Sequence, residues 1–160
     1  MLDPTTIPMH EFPLRWRFTD PKYRLLPVAH LAQVKPLDAG SARRLHDVAS
    51  RWHYDTHPAD GTFVKAARTS IEAHTPDETS RVRAWLYDRR IQFSQPVFLS
   101  WSGDLAALTT WKMVVRYWDA FWYPSSDDLL VFDASQSWAL LLWHEEEAFF
   151  ASEATHDSER

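Results

Sequence analysis

Two histidines four residues apart, in His53-Tyr54-Asp55-Thr56-His57, are the first residues whose spacing suggests chemistry. On a helix they would share a face and offer half of a zinc or iron site. Pro58 disfavours helical geometry at His57, and no third ligand is evident, Asp60 and His74 being the next to test. The competing reading is a solvated helix end at which His53 favours the dipole, so no metal is expected. His144-Glu145-Glu146-Glu147-Ala148 begins like a zincin helix. The second histidine of that motif falls on Ala148, however, and the run closes an apolar strand, which excludes a metalloprotease. What remains is a charged hairpin turn or an acidic projection offered to a basic partner.

Other chemistries fare no better. Tyr123-Pro124-Ser125-Ser126-Asp127-Asp128 has two adjacent carboxylates but lacks the alternating ligands of a calcium loop, and its residues suit a turn. Ser100 and Ser102 flank Trp101 without the preceding glycine of a nucleophile elbow. The absence of cysteine removes thiol nucleophiles, thiolate metal sites and disulfides. With three glycines in 160 residues, neither a Walker-type loop nor a dinucleotide fingerprint can be assembled. No catalytic residue and no cofactor is therefore expected.

The elements that must position these residues read as one α+β domain over residues 1–152, followed by a frayed acidic tail at 153–160. Apolar residues at 45% and charged residues at 24% suffice for a proper core. Residues 1–26, with Pro4, Pro8, Pro13 and Pro21, read as an arm pinned by aromatics, with a short strand at Leu14–Phe18. A brief helix runs from Pro27 to Ala32 and stops at Pro36. A longer one is capped by Asp38 or Ser41 and carries Leu45, Val48, Ala49 and Trp52 as its stripe. Phe63–Glu72 is open to helical or extended readings. Thr75-Pro76-Asp77-Glu78 forms a capping box with proline at the first helical position, opening a helix that carries Val82, Trp85, Leu86 and Arg89.

Beyond Gln92 strands dominate. Pro96–Trp101 and Leu105–Leu108 read as a hairpin, and Thr109 or Thr110 caps a helix on which Trp111, Val114, Val115, Trp118, Phe121 and Trp122 recur. Leu129–Phe132, Trp138–His144 and Ala148–Ala151 follow as a C-terminal β-meander, so the sheet is mainly antiparallel. Both alternating sets of Trp138–His144 are apolar, which predicts a strand covered on both faces by helices.

Charge is unevenly placed. Through Arg90 there are 14 basic and 11 acidic residues; from Ile91 onward there are 3 and 11, a balance of −8. A net charge of −5 argues against general nucleic-acid binding. No signal-like or membrane-spanning apolar run occurs, which predicts a cytoplasmic protein without a membrane association. Most of the nine tryptophans are core by their size; Trp16 and Trp101, outside the helical stripes, are the candidates for exposed anchors.

The run Trp118-Asp119-Ala120-Phe121-Trp122-Tyr123-Pro124-Ser125-Ser126-Asp127-Asp128, with the Trp138-led strand and His144-Glu145-Glu146, resembles small bacterial proteins of unknown function. Some of these are similar to immunity proteins that neutralise polymorphic toxins. The resemblance covers the C-terminal third and implies a bacterial, cytoplasmic, acidic binding module without catalytic residues. Two hypotheses follow. In the first, a non-enzymatic module docks a basic, toxin-like partner through Asp127, Asp128, Glu145 and Glu146, with Trp16 and Trp101 as anchors. In the second, a small enzyme or ligand-binding domain has a Trp-lined pocket, with His53, His57 or His144 and Asp127 or Asp128 as its polar groups.

Overall fold

Three strands between Leu129 and Ser152, the first two apolar at every position, organise the molecule. The computed structural model describes residues 2–52, 58–63, 65–72 and 75–152. Among them, seven antiparallel strands form one sheet: β1 (Lys35–Pro36), β2 (Ala67–Ser70), β3 (Pro96–Ser100), β4 (Ala106–Thr110), β5 (Leu129–Phe132), β6 (Trp138–Trp143) and β7 (Glu147–Ser152). Their order is β1-β4-β3-β5-β6-β7-β2, with the expected C-terminal meander β5-β6-β7 intact. Ambiguous Phe63–Glu72 contributes the edge strand β2, which pairs with β7.

The double-sided strand is realised residue by residue. Trp138, Leu140 and Leu142 of β6 enter one hydrophobic cluster, while Ala139 and Leu141 enter another on the opposite face. The first cluster is covered by α4 (Pro76–Tyr87), α5 (Trp111–Phe121) and the N-terminal arm; the second by α3 (Ala39–Ala49) with Trp52 and Phe63. The architecture is thus α+β in three layers, with helices on both faces of the sheet. No helix among the described residues is long and apolar enough to cross a membrane.

Local signals account for most boundaries. Asp38 caps α3 by accepting from the Ser41 amide at 2.7 Å. Thr75 caps α4 by accepting from the Glu78 amide at 3.2 Å. The return half of that box is altered: Glu78 accepts from the Glu72 amide at 3.2 Å and pairs with Arg81. Thr110 precedes α5 but supplies no side-chain cap. The carbonyls of Gln95 and Phe93 accept from the Trp111 and Lys112 amides instead, so tertiary backbone contacts satisfy the first turn.

The arm departs from expectation. Leu14–Phe18 is not a strand: Trp16–Thr19 form a one-turn helix, α1, followed later by α2 (Val28–Leu31). The Phe18 amide donates to Arg15 and the Asp20 amide to Trp16, closing a turn that drives Phe18 into the core against Phe121 at 5.5 Å. Pro36, expected only to stop a helix, lies in β1 at the sheet edge, where a missing amide hydrogen costs no interior ladder bond.

Candidate functional site

Because Phe18 turns inward, its neighbours Trp16 and Arg17 are delivered to the junction of arm, α5 and meander. Arg17 is 2% exposed and its guanidinium grips the Asp127 carboxylate through both terminal nitrogens, Nη2 to Oδ1 at 3.0 Å. It also donates to the Phe121 carbonyl at 3.2 Å. Asp127 additionally accepts from the Tyr123 amide at 2.9 Å and the Ser126 hydroxyl at 3.1 Å. A buried ion pair needs this fuller set of hydrogen bonds to offset desolvation. It clamps the Tyr123–Asp127 turn onto the arm.

Above the clamp sits a trio of rings. Trp16 lies 4.6 Å from Tyr23 and 5.8 Å from Tyr123 by ring centroids, the latter pair nearly parallel at 18°. Tyr23 and Tyr123 are 6.3 Å apart. The Arg17 guanidinium lies 4.6 Å from the Tyr123 ring centroid and 5.1 Å from that of Trp16. Burial raises the Tyr123 phenol above its ordinary value, with the Arg17 charge opposing. The rings line an open cleft of about 630 Å³ together with Pro124, Ser125, Ser126, His144 and Glu146. A second cleft of about 540 Å³, lined by Arg15 and Asp20 among others, adjoins it across Trp16.

The β6–β7 turn supplies the charged rim. Asp128 Oδ1 accepts from the His144 amide at 2.8 Å and contacts His144 Nδ1 at 2.9 Å. Glu145 and Glu146 are exposed, and among the described residues neither carboxylate has an ion-pair partner. Glu146 adopts φ 62°, the left-handed position that a three-residue hairpin normally gives to glycine. Its amide donates to Trp143 at 2.9 Å and its carbonyl accepts from the Ile71 amide at 2.8 Å, so the turn is held from both sides.

The expected site residues divide accordingly. Trp16, His144 and Glu146 share the cleft, Asp128 supports His144, and Glu145 stands beside them on the turn. Asp127 does not belong to an exposed acidic face: it is 9% exposed and its charge is spent on Arg17. Trp16 and Trp101 are both half-buried rather than exposed: Trp16 borders the cleft, whereas Trp101 packs 5.7 Å from Phe12 and donates its indole N–H to Phe121 at 2.7 Å. His53 and His57, with His74, lie outside the described residues, as does the acidic tail; the side chain of Asp60 does too. Tyr123 belongs to the turn that the sequence singles out, but its meeting with Tyr23 and Arg17 emerges only from the structure, since no sequence period links an arm to a turn a hundred residues away.

Set against family models, curated proteins and solved structures, the chain matches none of them.

Proposed function

We propose that this α+β domain is a non-enzymatic binding module that docks a basic protein partner, in the manner of an immunity protein, through the ring-lined cleft and the Glu145–Glu146 turn. The observation that carries this reading is the meeting of three aromatic rings with the Glu146 carboxylate, Glu145 standing beside it on the turn, neither with a cation of its own among the described residues. Aromatic side chains supply contact area at low entropic cost, and complementary charge speeds encounter and makes it salt-sensitive. The docking face is smaller than the sequence suggested, because Asp127 is consumed by the clamp.

Affinity capture from the bacterial host tests the proposal, at low and moderate salt, with the Glu145→Gln/Glu146→Gln double variant in parallel. The expected result is one basic protein that rebinds when purified, weakens with salt and is weakened in the variant. A partner held equally by both proteins would contradict the assignment.

One observation favours a second reading as a small-ligand or hydrolytic site. Asp128 engages His144 Nδ1, an orienter-and-base arrangement, in a cleft that also holds the Ser125 and Ser126 hydroxyls. Among the described residues no hydrogen bond joins His144 to either serine, and Ser126 donates to Asp127. Turnover of activated esters that disappears in His144→Ala would favour this reading over binding.

A further inference from the structure

Resting on the binding reading above, we infer that the cleft seats an arginine side chain of the partner, its guanidinium stacked on the exposed Tyr23 ring, bordered by Trp16 and Tyr123, and paired with Glu146. The occupant follows from charge and shape. The lining combines three aromatic rings with a carboxylate and two hydroxyl-bearing serines, so the complementary group is a flat, weakly hydrated cation with several N–H donors. A lysine ammonium matches the charge but not the planar stacking or the forked donors.

The chain uses the same chemistry internally. Beneath the cleft Arg17 lies against Trp16 and Tyr123 while a carboxylate takes both terminal nitrogens. Nearby, Arg24 lies 4.9 Å from the Tyr117 ring and pairs with Asp119 at 2.9 Å. The Asp127 carboxylate offsets the Arg17 charge, and Arg17 lies against Trp16 and Tyr123 but not Tyr23, which leaves Tyr23 as the ring for a second guanidinium. Tyr23, 51% exposed, is accessible from solvent.

Capped hexa-arginine and hexa-lysine peptides, titrated at fixed low ionic strength, provide the test. Both should bind, with hexa-arginine tighter by roughly 3- to 10-fold, the range expected of a partly exposed cation–π contact. That preference should vanish in Tyr23→Ala and in Glu146→Gln, whose near-ultraviolet circular dichroism reports an intact fold. Glu145→Gln, on the same turn but outside the cleft, should weaken both peptides and keep the preference. Equal, salt-sensitive binding of the two peptides would overturn the arginine seat while leaving the acidic docking face standing. No binding of either peptide would overturn both. A preference that survives in both Tyr23→Ala and Glu146→Gln would place the seat elsewhere and also overturn the inference.

Discussion

Replacing Glu146 by glycine should make the protein more stable and a poorer binder at once. An L-residue in the left-handed region costs about 1–2 kcal/mol, and Glu146 sits there at φ 62°. Glycine adopts that conformation freely but loses about 0.5–1 kcal/mol more chain entropy on folding. The net gain spans about 0–1.5 kcal/mol and centres on ~0.75, which for a chain of this size raises the thermal midpoint by roughly 2–3 °C. Thermal unfolding followed by circular dichroism reads this directly, with Glu146→Gln as the companion variant that removes the charge but keeps the side chain. Both variants should lose hexa-arginine affinity; only the glycine variant should gain the full stability increment. A glycine variant no more stable than the glutamine variant would refute the claim that the turn is strained to hold a carboxylate at the cleft.

Three further outcomes follow from the same geometry. Arg17→Met or Asp127→Asn alone should cost about 3–5 kcal/mol in urea unfolding, because each strands a buried charged partner, and the Arg17→Met/Asp127→Leu double variant should recover much of that loss. Thr75→Ala should destabilise by about 1 kcal/mol through loss of the α4 cap, measured by the same unfolding curves. On acidification, Asp38 and Glu78 should contribute to unfolding: the Ser41 amide holds the Asp38 carboxyl below 3.8 and the Arg81 hydrogen bond holds Glu78 below 4.5. Lowered folded values mean that this stabilisation is complete above the ordinary ones and is lost as pH falls through the lowered ones. Asp38→Asn and Glu78→Gln should each flatten the midpoint-against-pH curve in that range.

What could be read from the chain alone was whatever depended on neighbours in sequence. The capping box at Thr75 is a contact within one turn, and the two-faced burial of Trp138–Trp143 follows from a run that is apolar at every position. The same local logic failed at Leu14–Phe18, where apolar residues two apart suggested a strand. There the core position of Phe18 and the reach of Arg17 to Asp127 impose a helical turn instead. It failed likewise at Asp127, whose turn-forming sequence gives no sign of a cation 110 residues earlier. The cleft was half legible: Trp16, Glu146 and His144 stood out by type, but their meeting with Tyr23 and Tyr123 is a product of tertiary packing.

The most direct measurement of the central claim is the set of indole N–H resonances in a ¹H–¹⁵N spectrum during hexa-arginine titration. The account predicts a saturable shift of the Trp16 indole, assigned through Trp16→Phe, while the buried Trp111 and Trp118 indoles stay in place. A Trp16 resonance that does not move as the peptide binds would contradict it.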